Sequence, residues 1–288
     1  MTGWANTLVG QRSRSRIAPF RLHRPSSVDE AVDAMASAPT GAAYMAGGID
    51  LINRMKAGFT PGEVIHVARI AELARISEKD GSVCLGSCAT HREVSEHEIL
   101  RTRAPELARC WRELGNPRVR SKGTVGGNVM AREPGYDAAL MLMAADATLT
   151  FATSHGPQAD VPIAQASAAE DLLTTIENPA ARSLHLRVDR SLHPVLTLAV
   201  GVRERGAYIE RAQVAIGGAY EVPAVFPLGL SEPISRADLA NRAGAIALEF
   251  AQRLAPPLND WRGSSSYRLR MIGVVLGRLL REEGMRPC

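Results

Sequence analysis

Between Ala42 and Lys56 the chain passes without a linker from a short apolar run, Ala42-Ala-Tyr-Met-Ala46, through Gly47-Gly48 into a helical pattern, Ile49–Lys56, that stops at Gly58. A strand that turns directly into a helix at two glycines belongs to a layered α/β unit whose turn exposes backbone rather than side chains. The surrounding pattern agrees. Ser26–Glu30 reads as a capping box, with Ser27 and Glu30 satisfying each other's backbone donors. Val28, Ala31, Val32 and Met35 follow at helical spacing. Glu63–Val67 reads as the next strand, Ala71–Ile76 as helix and Val83–Gly86 as strand. Strands and helices therefore alternate through the first part of the ordered sequence, which begins near Phe20.

Further on, Ala104–Leu114 reads as an amphipathic helix, with Pro105 in the first turn and Leu107, Trp111 and Leu114 on one stripe. Gly115–Gly135 reads as a loop, Asp137–Ala145 as helix, Thr148–Thr153 as strand and Ser154–Ala169 as loop. The texture changes near Pro179–Ser183. Beyond it, Val195–Val202 and Tyr208–Gly217 form a predicted hairpin, and Arg236–Leu254 and Tyr267–Glu283 are predicted helices. The expected organisation is a basic extension over residues 1–19, a first domain over 20–180 and an α+β domain over 181–288.

Composition narrows the function classes. At 288 residues, 45% hydrophobic and 22% charged, the chain is globular rather than disordered. No apolar run reaches the ~18–20 residues that span a bilayer. The net charge of +4 comes almost wholly from scattered arginine, since Lys56, Lys79 and Lys122 are the lysines. With aromatics at 5%, that scatter does not form the basic stripe of a nucleic-acid binder. Cys84, Cys88, Cys110 and Cys288 make no C-x-x-C, so reduced thiols and a cytoplasmic location are expected. The histidines show no ligand spacing, and no metal site or iron–sulfur cluster is expected on this chain. His91-Arg-Glu93 and the acidic run Glu96–Glu98 read as solvated helix surface, and no acid/base pair stands out.

The residues that carry chemistry are the two glycine turns, Ala46–Leu51 and Gly123-Thr-Val-Gly-Gly-Asn128. Amides at a helix N-terminus offer unpaired donors and a favourable dipole, so such turns suit a phosphate or diphosphate. Thr124 and Asn128 could add side-chain hydrogen bonds. Neither G-x-G-x-x-G nor G-x-x-x-x-G-K-[ST] is present, which excludes the dinucleotide and P-loop signatures.

The order of motifs resembles the FAD-binding (medium) subunit of molybdenum hydroxylases of the xanthine dehydrogenase and carbon monoxide dehydrogenase type. Phe20-Arg-Leu-His-Arg-Pro25 resembles that family's opening strand, and Ala46–Leu51 its first flavin loop. Leu85-Gly-Ser-Cys-Ala-Thr-His-Arg-Glu-Val94 resembles its G-A-x-T-T-H-x-E-V stretch. Val119-Arg-Ser-Lys-Gly-Thr-Val-Gly-Gly-Asn-Val129 with Pro134 and Asp137 resembles I-R-N-x-G-T-I-G-G-N-I-x-x-x-x-P-x-x-D. Ser264-Ser-Ser-Tyr-Arg268 resembles the S-x-x-Y-R that opens the last helix. The chain departs from the pattern at Ile49, at Arg132-Glu133 and in a shorter segment after Pro162.

The resemblance implies a mixed α+β and α/β fold: a two-lobed FAD-binding domain of the molybdopterin-dehydrogenase (PCMH-like) type and a small C-terminal domain of antiparallel sheet and helices. It implies that FAD lies between the lobes, against Met45, Ala46, Gly47, Gly48, Ile49, Asp50 and Leu51 and against Gly123, Thr124, Val125, Gly126, Gly127 and Asn128. Thr90 corresponds to a threonine close to the flavin. Asp137 corresponds to an aspartate at the adenosine half or the ribitol. Leu172 and Leu173 correspond to the edge beside the isoalloxazine, and a basic residue by the ring corresponds to His185 or Arg187. The implied function is electron transfer within a multi-subunit molybdenum hydroxylase. A large subunit would carry molybdopterin and a small subunit two 2Fe-2S clusters, in a dimer of heterotrimers. Two other readings stay open at this point: a flavin-less assembly subunit of such a complex, and a self-sufficient flavin oxidase.

Overall fold

The computed structural model describes residues 17–38, 41–166, 171–179, 184–190 and 195–285, with backbone alone for 179 and 184–190. Most of the expected basic extension, the side chains of His185 and Arg187, and Cys288 lie outside the described residues.

The chain opens with β1 (Arg21–His23), α1 (Val28–Ala36), β2 (Ala43–Met45), α2 (Ile49–Lys56) and β3 (Glu63–His66). The strands form a parallel sheet in the order β1-β3-β2. Parallel neighbours need crossovers, and α1 and α2 provide them. Ser27 caps α1 as expected, accepting from the Glu30 amide at 3.2 Å. The carboxylate of Glu30 reaches one residue further back than a capping box would have it, to the Ser26 amide at 2.7 Å and hydroxyl at 2.9 Å.

A second sheet is antiparallel, in the order β4-β5-β8-β6-β7, from β4 (Ile76–Lys79), β5 (Ser82–Gly86), β6 (Thr148–Thr153), β7 (Gly156–Pro162) and β8 (Leu172–Pro179). Two expectations change here. The stretch Ala71–Ile76 is a 3₁₀ turn over Ala71–Ala74 that runs into β4. β4 and β5 form a hairpin through Asp80-Gly81, both at positive φ, as a two-residue turn requires. The expected loop Ser154–Ala169 contains β7, an outer strand with mostly exposed side chains, so no apolar alternation marked it.

Helices cover this sheet: α3 (His91–Glu96), α4 (Glu98–Arg103), α5 (Pro105–Arg112), α6 (Pro117–Lys122), α7 (Val125–Ala131) and α8 (Asp137–Ala144). The expected loop Gly115–Gly135 thus holds two short helices, capped by Asn116 and Thr124. α8 is buried along Ala138–Ala144, as a helix apolar all round must be.

The last sheet is antiparallel, β12-β11-β10-β9 with β13 beside β11, built from β9 (Leu184–Arg190), β10 (Thr197–Arg205), β11 (Tyr208–Gly217), β12 (Ala224–Pro227) and β13 (Ile234–Ser235). The alternation along β10 splits its faces by size. Leu198, Val200 and Val202 point to a core shared with α9 (Arg236–Gln252) and α10 (Ser265–Gly284). Ala199 and Ala215 point to the core that contains α8. α8 therefore packs on the last sheet and shares its core with the second one.

The buried Arg236 ties α9 to β10 and to the end of α10. Its guanidinium lies 2.5 Å from Glu204 Oε1 and 3.0 Å from Glu283 Oε1, and donates to the Glu283 carbonyl at 2.6 Å. Removing one partner of such a group strands buried charge. Arg236→Ala is expected to lower unfolding free energy by about 3–5 kcal/mol in a urea titration; a loss below ~1 kcal/mol would contradict this account of the cluster.

Candidate functional site

The two glycine turns meet. A Cβ built on Gly47 would stand 1.8 Å from the Lys122 carbonyl oxygen and 3.4 Å from the Gly123 Cα. The backbone of the first turn therefore lies directly on the second, an approach that only glycine permits. The second turn is itself pinned to the end of β5. Thr90 and Thr124 form an antiparallel bridge. Around it the His91 amide donates to the Gly123 carbonyl at 2.9 Å, the Val125 amide to the Ala89 carbonyl at 3.0 Å and the Gly126 amide to the Ser87 carbonyl at 2.8 Å.

The donors at the two turns differ. In α2 the first intrahelical bond runs from the Ile52 amide to the Gly48 carbonyl at 3.1 Å. The amides of Ile49, Asp50 and Leu51 then have no acceptor within the helix. Gly48, the N-cap at φ 73°, has no side chain to supply one. In α7 the Val125 and Gly126 amides are taken by the Ala89 and Ser87 carbonyls just past β5, and the Gly127 amide by Thr124 Oγ1 at 3.1 Å. The sequence reading assigned free amides to both turns, and the structure corrects that for the second. Its amides hold the turn in place, while Gly127 itself is exposed.

The other expected residues divide. The Thr90 hydroxyl sits in a capping box with Glu93, accepting from its amide at 3.2 Å and donating to its carboxylate at 2.8 Å. Asn128 Oδ1 accepts from the Ala139 amide at 3.3 Å, which joins α7 to the start of α8. Asp137 begins α8 and is half-buried. Met45 accepts the Val67 amide at 2.9 Å. Leu172 and Leu173 are both buried, on opposite sides of β8. Leu172 belongs to the cluster that touches Ala46, and Leu173 to the core around α8.

Sequence reasoning missed Tyr136 and the state of His91, and marked Glu133 only as a departure from the family pattern. The Tyr136 hydroxyl donates to Asp50 Oδ1 at 3.2 Å. Burial raises the Asp50 pKa, opposed by Arg54 and by that hydrogen bond. Burial raises Glu133 as well, with Arg262 opposing and Asp50 reinforcing. Burial is thus the largest influence on both carboxyl groups. His91 is 1% exposed rather than part of a solvated face. Its ring packs under Gly123 and lies 6.0 Å from the Trp111 ring, and its Nδ1 has no hydrogen-bond partner.

Residues 18–179 match the family described as the FAD binding domain in molybdopterin dehydrogenase. The chain belongs to this family. The carbon monoxide dehydrogenase medium chain of Hydrogenophaga pseudoflava is 26% identical over 91% of this chain and 96% of its own length. The nicotine 6-hydroxylase medium subunit of Paenarthrobacter nicotinovorans is 24% identical over 94% and 99%. In fold, the chain is similar to a solved carbon monoxide dehydrogenase from Hydrogenophaga pseudoflava, with a TM-score of 0.81 at 24% identity over 91% of this chain and 96% of that one. It is also similar to quinoline 2-oxidoreductase from Pseudomonas putida 86, with a TM-score of 0.82 at 20% identity over 93% and 98%. The mixed architecture expected from the sequence is the architecture of these structures.

The residues present fit the flavin of this FAD-binding family at its diphosphate. Three helix-terminal amides without an acceptor, beside a turn that carries no Cβ, suit two linked phosphates. No helix of the described residues is long and apolar enough to cross a membrane.

Two predictions follow from this geometry. Gly47→Ala must push the Lys122 carbonyl away, and is expected to destabilise the chain by more than ~2 kcal/mol in thermal or urea unfolding. For His91, burial pushes the pKa down to about 4 from 6.5. The unfolded chain therefore binds a proton that the folded chain refuses between those values. Stability is complete above pH 6.5 and falls as pH drops toward 4, by up to about 3 kcal/mol. The difference between wild type and His91→Gln should show this slope, and parallel curves for the two would contradict it.

Proposed function

We propose that this chain, the FAD-binding medium subunit of a molybdenum hydroxylase-type complex, receives electrons from an iron–sulfur subunit and passes them to an external acceptor. Substrate hydroxylation would take place on a large molybdopterin subunit, in a dimer of heterotrimers located in the cytoplasm. The observation that carries the reading is the junction of the turns, where the Gly47 backbone lies on Lys122 and Gly123 and the Ile49, Asp50 and Leu51 amides have no acceptor within α2. The wide spread of medium chains among the relatives supports the assembly.

In this reading FAD, when bound, supplies the electron-carrying chemistry. The chain's own task is to bind and orient. The three α2 amides hold the diphosphate. Thr90, Thr124 and Asn128 fix the shape of the second turn, and Asp137 meets a hydroxyl of the cofactor's sugar portion. Residues 20–180 form the cofactor domain and 181–288 the second domain. A helix N-terminus contributes only ~0.3–1 kcal/mol toward an anion. Nanomolar retention requires about 12 kcal/mol. Most affinity must therefore come from burying the two ring systems and from several hydrogen bonds together. No acid/base residue is needed, because no proton is moved on a substrate carbon at this site.

The test is flavin content. The complex purified with its partner subunits is expected to absorb in the blue and to release one FAD per copy of this chain. A complex without flavin would overturn the reading and favour an assembly role. Turnover of small alcohols or amines by the chain alone would instead favour an independent oxidase.

A further inference from the structure

The first turn of α2 is braced on one face, where Leu51 is buried against the cluster around Val64 of β3. On its other face Gly47 and Gly48 offer no side chains to hold it. A second restraint comes from elsewhere in the chain. Asp50 is the second residue of α2 and lies between the Ile49 and Leu51 amides in sequence. Its Oδ1 accepts the Tyr136 hydroxyl at 3.2 Å across 86 residues. Tyr136 is the N-cap of α8, whose Ala138–Ala144 are buried. It is therefore mounted on a rigid part of the molecule. Glu133 and Pro134, just before it, are half-buried, and a Cβ on Gly217 would stand 2.3 Å from the Pro134 carbonyl oxygen, so this corner also packs on β11.

The contact has two consequences. It fixes the direction of α2's first turn relative to the core. It also engages an oxygen of a carboxylate that competes for the same amides, since aspartate near a helix start readily hydrogen-bonds adjacent backbone donors. From this geometry we infer that Tyr136 is a positioning residue for the cofactor's diphosphate, acting through Asp50 to keep the α2 amides aimed outward and free. The inference rests on the FAD reading above and goes beyond it. No feature of the sequence motifs pointed to Tyr136.

The experiment uses the full chain freed of flavin, with FAD and ADP as probes, because ADP carries the diphosphate without the isoalloxazine. Tyr136→Phe removes the donor and little else. It is expected to weaken FAD and ADP by the same factor, about five- to ten-fold, as loss of one hydrogen bond predicts. The melting midpoint of the ligand-free chain should change little. Asp50→Ala removes the acceptor, and adding Tyr136→Phe to it is expected to cost no further FAD or ADP affinity, because the two residues act through one hydrogen bond; additive losses would overturn the coupling. The inference is overturned if Tyr136→Phe binds FAD and ADP as wild type does, or if FAD weakens while ADP does not, which would place the effect at the ring. If wild type binds neither probe, the cofactor reading itself fails and the positioning role falls with it.

Discussion

A side chain at position 47 would place its first carbon 1.8 Å from the Lys122 carbonyl oxygen, so the site exists only because that position is glycine. The contact brings the end of the parallel sheet onto the helical cover of the antiparallel one. Neither lobe could form the site alone. The parallel lobe contributes donors, and the antiparallel lobe contributes a surface to hold them against. The Thr90–Thr124 bridge anchors that surface to β5, and the buried ring of His91 fills the space beneath it.

The two turns look alike in sequence and do different work. Both place glycines at the start of a short helix. In α2 nothing caps the first turn, and its amides stay open. In α7 every first-turn amide is satisfied, by Ala89, Ser87 and Thr124. The difference follows from the residue before each helix. Gly48 has no side chain, whereas Thr124 carries a hydroxyl at the N-cap and sits in a backbone bridge. Close packing needs glycine in both turns, at Gly47 and at Gly126, where a Cβ would come within 2.7 Å of the Ser87 carbonyl oxygen, and only the first turn also has glycine as its uncapped N-cap, at Gly48.

Much of this was legible. The strand–turn–helix at Ala42–Lys56 and the buried α8 announce themselves by pattern, and the small-large alternation of β10 is visible in Leu198-Ala-Val-Gly-Val202. The family could be read from the order of its motifs. What could not be read has physical reasons. α6 and α7 are too short and too rich in glycine and arginine to show a period, although Asn116 and Thr124 are good capping residues. The Asp80-Gly81 hairpin carried its own turn signal, but the strand before it, Ile76-Ser-Glu-Lys79, shows no apolar alternation. β7 is exposed and shows no alternation. The pairing of Asp50 with Tyr136 joins residues 86 apart and leaves no trace in local spacing. Whether a helix-start amide is open or taken depends on partners distant in sequence, so the sequence could not distinguish the two turns.

In the proposed reading the anion is held by the amides of α2 and not by those of α7. Amide nitrogen and proton shifts of the labelled chain, followed while ADP is added, measure that directly. The account predicts saturable shifts at Ile49, Asp50 and Leu51, with Val125 and Gly126 moving little. Large shifts at Val125 and Gly126 with none in the first turn of α2 would contradict it.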